Sequence, residues 1–216
     1  MLHIFGKIKQ LPKIWNTAGM LPTPIHRLFA HSSTLRSSEL ATQGVPRMQL
    51  SRWVAEGKLQ RLGRGLYALP DYAPNQHASL VEVASPAPRV VFCLLTALRF
   101  HELTTQAPFE VWIAIGNKEH PPRLPYPKLR VHRFSPASLH YGVEEHRVDG
   151  AKLRVTDVAK TVADCFKFRN KIGLDVALEA LRDAVQGRRT NMDEIWRAAT
   201  VCRVAAVMRP YLESLG

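Results

Sequence analysis

The sequence predicts an α+β protein, with an N-terminal winged helix-turn-helix followed by a mixed α/β domain whose last third is helical. Three observations carry this expectation. Short helical patterns lead into a glycine-bearing hairpin over residues 23–70, β-like runs alternate with proline-rich loop through the middle of the chain, and amphipathic helical stretches close it. With 216 residues and a hydrophobic content of 46%, the chain can build one large core or two small ones.

The first helix is expected at "TPIHRLFA". Ile25, Leu28 and Phe29 stand at helical spacing, Thr23 suits the N-cap and Pro24 the first helical position. A second short helix follows in "TLRSSELATQGV", with Ser37 or Ser38 as cap, Leu40 and Ala41 towards the core, and Gly44 at the left-handed position beyond its end. Pro46 opens a third helix in "VPRMQLSRWVAEGKL". If Leu50 marks the core direction, Trp53 and Val54 share it, and Met48 and Arg52 face away. Gly57 ends this helix.

"LQRLGRGLYAL" alternates as a strand, turns at Gly63-Arg64-Gly65 and returns as a second strand, because glycine supplies the positive φ that a tight hairpin needs. Three helices followed by such a hairpin form a winged helix-turn-helix, in which the third helix enters the major groove of double-stranded DNA and the hairpin is the wing. The residues expected to contact DNA are Arg47, Met48, Gln49, Ser51 and Arg52 on the third helix, Lys58 after it, and Arg61 and Arg64 on the wing. Arginine and glutamine can each read a base edge with two hydrogen bonds, and long cations on a thin ribbon reach phosphates or a minor groove.

Residues 71–80, polar and bearing a proline, read as a linker to an α+β domain over 81–216. "EVASPAPRVVFCLLTALRFHEL" reads as a helix end, a proline turn, a short strand and a helix with Leu94, Leu95, Leu98 and Phe100. "FEVWIAI" and "KLRVHRF" are β-like, separated by a loop too rich in proline to form a ladder. Asp149-Gly150 predicts a two-residue hairpin turn between alternating strands. Thr156 is expected to cap the helix of "TDVAKTVADCFKF". "LDVALEALRDAVQG" then stops at Gly187, and Asn191 starts "NMDEIWRAATVCRV".

Charge supports this division of labour. Residues 1–70 hold ten lysines and arginines against two acids, Glu39 and Glu56, and so carry +8 of the chain's +12. A basic front end joined to a more neutral body points to a polyanionic partner. Residues 1–22 read as a loosely ordered extension, or as translation from an upstream start with Met20 the better one. They lack the apolar run and cleavage site of a signal peptide, and no run of 18 apolar residues predicts a membrane span. Cys93, Cys165 and Cys202 are far apart in apolar surroundings, which predicts buried free thiols in a reducing cytoplasm.

A search for catalytic chemistry favours no enzyme, cofactor or metal. His132, His140 and His146 are scattered without a ligand motif, and Glu110 and Glu119 lack the spaced acid and lysine of a metal-dependent nuclease. No nucleophile elbow or phosphate-cradling loop is present. Asp157 and Asp164 share a helical face; the first suits a helix N-terminus and the second a buried acid bonded to backbone. The alternative is a nucleic-acid-processing enzyme, or a subunit of one, whose winged helix delivers substrate.

"SSELATQGVPRMQLSRWVAEGKLQRLGRGLYAL" resembles the N-terminal winged helix of the AbiEi family, antitoxins of type IV toxin–antitoxin systems, whose wing follows a GxLxRxGRGxY pattern. Here that pattern runs from Gly57 to Tyr67. "VVFCLLTALRFHEL" and "LRVTDVAKTVADCF" extend the resemblance to roughly residues 23–205, with one departure: Glu102 stands where a glycine is usual. The resemblance implies an autorepressor that binds repeats in its own promoter. It also implies a C-terminal domain that opposes a co-encoded nucleotidyltransferase-like toxin without a stable complex.

Overall fold

A computed structural model describes residues 21–31, 34–63, 65–72, 76–106, 108–124 and 126–215. The chain is α+β and divides into two compact units, Met1–Tyr72 and Ala73–Gly216. The expected extension over residues 1–20 lies outside the described residues, while Leu21 is buried in the first unit's core.

The first unit runs α1 (Thr23–His31), β1 (Thr34–Arg36), α2 (Ser37–Thr42), α3 (Arg47–Ala55), β2 (Gln60–Gly63) and β3 (Leu66–Ala68). Its strands form an antiparallel sheet in the order β1-β3-β2. Because β3 is central, Leu66, Tyr67 and Ala68 are all buried, and the alternation expected from the sequence is absent there. Strand β1 is an addition to the sequence reading, and it moves a cap. Arg36, rather than Ser37 or Ser38, holds the N-cap position of α2, and Glu39 accepts its amide at 2.6 Å. Thr23 likewise lies within α1, whose first amides donate to the Pro22 carbonyl from Ile25 and His26. Ile25, Phe29, Leu35, Leu40, Val45, Leu50, Trp53, Leu59 and Tyr67 make one core, to which each helix contributes an apolar stripe.

The second unit runs α4 (Ala78–Ala84), β4 (Val91–Phe92), α5 (Leu94–Phe100), β5 (Val111–Gly116), β6 (Leu129–Phe134), α6 (Pro136–His140), β7 (Val143–Val148) and β8 (Ala151–Thr156). Helices α7 (Val158–Lys167), α8 (Arg169–Ile172), α9 (Leu174–Gln186), α10 (Met192–Cys202) and α11 (Ala205–Glu213) complete it. Helix α4 starts at Ala78 and buries Leu80, so the last residues expected as linker belong to this unit. The mixed sheet has the order β6-β5-β4-β8-β7, with β5/β6 and β4/β8 parallel and the other pairs antiparallel. The expected hairpin joins β7 to β8, with Asp149 and Gly150 both at positive φ, 46° and 72°. Helix α7 packs against α5, α9 and α10. Its cap is Asp157, which accepts the Lys160 amide at 2.7 Å; the expected cap, Thr156, ends β8 and bonds Thr161 Oγ1 at 2.7 Å instead. All three cysteines are free and buried. Among the described residues no helix is long and apolar enough to cross a membrane.

Candidate nucleic-acid interface

Helix α3 is staged by the turn before it. Pro46, at φ −67°, is its N-cap, and buried Val45 donates its amide to the Leu40 carbonyl at 3.0 Å, which closes the end of α2 one residue before that cap. Leu50 and Trp53 then sink into the core and Val54 packs at its edge. At 3.6 residues per turn this turns the opposite face outward. Arg47, Met48, Ser51 and Arg52 are exposed, Met48 at 83%, and Gln49 is half-buried. The Ser51 hydroxyl is turned back towards the Arg47 carbonyl, 3.4 Å away.

The cations around this helix have partners that the sequence reading did not assign. Arg52 Nε donates to Glu56 Oε1 at 2.8 Å, and Lys58 Nζ lies 2.9 Å from Glu56 Oε2. Lys58 and then Arg52 hold the Glu56 carboxyl below its ordinary range, because each stabilises the ionised form. Lys58 is therefore less available than its sequence position suggests, with a side chain 20% exposed against 67% for Arg52. The spacing of Arg52 and Glu56, four apart on a helix, was legible as a pair; the return of Lys58 to the same carboxylate depends on the turn.

On the hairpin, Arg61 projects from β2 and donates from Nε to the Gly63 carbonyl at 3.1 Å. Arg64 lies outside the described residues. The hairpin is anchored to α2, since the Ser37 amide donates to the Gly65 carbonyl at 2.7 Å. Gly65 has φ +73°, which favours glycine, and a Cβ there would come within 2.9 Å of Ser37 Oγ, so a larger residue would also have to turn that hydroxyl aside. Gln60 staples the other end of the ribbon, with Nε2 donating to the Leu69 carbonyl at 2.8 Å. The result is a helix presenting arginines and one bare methionine, beside a short cationic ribbon. Such a surface can pair with guanine edges, a thymine methyl and phosphates.

The second unit buries one pair of opposite charges. Lys160 and Asp164 are both fully buried and form an ion pair one helical turn apart, with Lys160 also over the Phe134 ring at 4.6 Å and Cys202 Sγ donating to Asp164 Oδ1 at 3.3 Å. Asp164 is thus held by side chains rather than by the backbone expected. Burial pushes its carboxyl upward, and Lys160 opposes the rise. His132 is 4% exposed, stacks on Trp112 with the rings 5.0 Å apart, and its Nε2 has no hydrogen-bond partner among the described residues. His146 lies 3.2 Å from Glu144, and His140 is exposed. A cavity of about 330 Å³ at the start of α7 is lined by residues that include Glu144, Asp157, Arg189, Glu194 and Arg197. Among the described residues no three His, Cys, Asp or Glu side chains are placed to hold a metal ion.

Residues 24–70 match a family model described as "Transcriptional regulator, AbiEi antitoxin". No curated protein matches the chain.

Proposed function

We propose that this chain, whose residues 24–70 match the AbiEi antitoxin family of transcriptional regulators, binds double-stranded DNA of its own promoter and represses its operon. The observation that carries this reading is the outward side of α3, where Met48 and Arg52 are exposed opposite the buried Leu50 and Trp53, and Arg47 and Ser51 are exposed along the flank between them. In this reading α3 lies in the major groove and reads base edges, while Arg61 and Arg64 on the wing contact phosphate or minor groove. Ala73–Gly216 carries the antitoxin action against a co-encoded nucleotidyltransferase-like toxin, as in a type IV system, and the protein works in the cytoplasm without a cofactor.

The test is fluorescence anisotropy of the full chain with a labelled duplex from upstream of its own reading frame, against a scrambled duplex of equal length, over a salt series. The reading expects tighter binding to the upstream duplex by about 10³-fold or more, with a salt slope set by the phosphate contacts. Equal affinity for both duplexes would reject sequence-specific repression. Magnesium-dependent cleavage or modification of plasmid or tRNA would favour an enzyme instead.

A further inference from the structure

The two acids of residues 1–70 stand in different places. Glu39 caps α2 through the Arg36 amide. Glu56 stands at the end of the helix assigned to DNA, where a carboxylate repels phosphates and lowers affinity for any duplex. Its pairs with Arg52 and Lys58 explain little of the fold, since ion pairs at the surface contribute little to stability. The local geometry is nevertheless closely fixed. The amides of Lys58 and Leu59 both donate to the Trp53 carbonyl, at 2.8 and 3.2 Å, and Gly57 takes φ +67°. This turn folds Lys58 back beside the last turn of α3, with Trp53 rooted in the core at 2% exposure. Glu56 then receives Arg52 on one oxygen and Lys58 on the other.

The Arg52 contact is made through Nε. A guanidinium held there keeps its fork in one orientation and leaves its two Nη nitrogens, the edge that pairs with guanine O6 and N7, for another acceptor. We propose that Glu56 is a positioning residue for DNA recognition, which orients Arg52 for base reading and withholds Lys58 from indiscriminate phosphate binding. The inference rests on the DNA-binding reading above. Specificity is a difference of affinities, so a group that weakens binding to every duplex while ordering the one discriminating contact increases it.

The experiment compares the full-length wild type with Glu56→Ala, Glu56→Gln, Arg52→Ala and the Arg52→Ala, Glu56→Ala double variant, on the upstream and scrambled duplexes used above. Asp71→Asn serves as the control for net charge, and thermal melts establish that each variant is folded. Glu56→Ala should bind the scrambled duplex a few-fold more tightly and lose about tenfold in the ratio of upstream to scrambled affinity. Glu56→Gln keeps an acceptor for Arg52 Nε but no charge for Lys58. It should bind both duplexes more tightly and retain most of the ratio. In the Arg52→Ala background, removing Glu56 should leave the ratio unchanged, a coupling that a merely structural role would not produce. The proposal is overturned if Glu56→Ala keeps the wild-type ratio, if Asp71→Asn reproduces its effect, or if Glu56→Gln loses the ratio as fully as Glu56→Ala. A wild type that does not discriminate between the duplexes would instead overturn the DNA-binding reading beneath it.

Discussion

Arg52 and Arg61 both engage a protein acceptor through Nε, a carboxylate for one and the Gly63 carbonyl for the other, but they stand on different surfaces. Arg52 sits on the helix face opposed to Leu50, so Arg52→Ala should cost about 1–3 kcal/mol on the upstream duplex and relax preference at one base pair. Anisotropy against single-base variants of that duplex measures it; equal loss on specific and scrambled DNA would count against base reading. Arg61→Ala should weaken all duplexes and reduce the salt slope by about one. A slope unchanged by it would remove Arg61 from the interface. Elsewhere, Glu102, where the resemblance leads one to expect a glycine, stands in a backbone conformation that favours glycine. It adopts φ +57° with its side chain exposed, at the turn where Leu103 donates its amide to the Leu98 carbonyl at 2.8 Å. A glycine there would meet no Cβ penalty, so Glu102→Gly should stabilise the second unit by about 1 kcal/mol in denaturant melts. Destabilisation would mean that the exposed carboxylate has an unrecognised partner.

The elements most legible in the sequence are those whose termini carry their own chemistry. Gly44 and Gly57 beyond two helices, the Asp149-Gly150 turn and the Asn191 cap, which accepts the Glu194 amide at 2.9 Å, stand where their residue types predict. Strand β1 was illegible because three residues, Thr34–Arg36, show no periodicity; only pairing with Ala68, Tyr67 and Leu66 of β3 defines them. The same pairing explains why the cap of α2 moved, since a strand running to Arg36 leaves that residue extended at the helix start. The cap of α7 moved by one residue because Thr156 is still in the ladder, opposite Val143. Asp157→Ala should therefore cost about 1 kcal/mol, and Thr156→Ala should act through the buried Thr161 hydroxyl instead. For the wing, the contact between Ser37 and Gly65 predicts that Gly65→Ala strains the hairpin and releases it from α2. The expected readout is a lower salt slope on any duplex, with a melting temperature reduced by a few degrees. Unchanged DNA binding in that variant would show that the ribbon's anchorage is irrelevant to the interface.

At the scale of the whole molecule the two units bury different chemistry. The first is a small apolar core carrying a basic surface. The second encloses an ion pair, three thiols and the rings of His101 and His132. Periodicity and charge in the sequence were enough to single out the exposed face of α3 in the first unit, but they did not reveal the second unit's buried Lys160, because an i,i+4 lysine–aspartate pair looks the same on a surface. The second unit should also respond to acid. Burial, with Lys171 and Arg130 nearby, lowers the His132 pKa to about 4. In the unfolded chain it titrates near 6.5, so between those values the unfolded state binds the extra proton, and stability present above about pH 6.5 is lost as pH falls towards about 4. His132→Phe, which preserves a ring against Trp112, should flatten that part of the melting curve against pH. An identical slope in the variant would assign the acid sensitivity to other groups, such as His101, which burial also shifts downward. The division of labour between the units gives the last prediction. If Ala73–Gly216 carries antitoxin action and residues 23–70 carry promoter binding, a full-length variant lacking Arg52 and Arg61 should lose repression and still protect cells that co-express the nucleotidyltransferase-like toxin. Expression of both proteins from an unrelated promoter keeps their levels fixed, so that loss of repression cannot masquerade as loss of protection. Domains that each keep their own core commonly keep separable activities. If protection instead disappears with DNA binding at matched protein levels, the antitoxin effect runs through the basic surface of the first unit, and the second unit must be assigned another role.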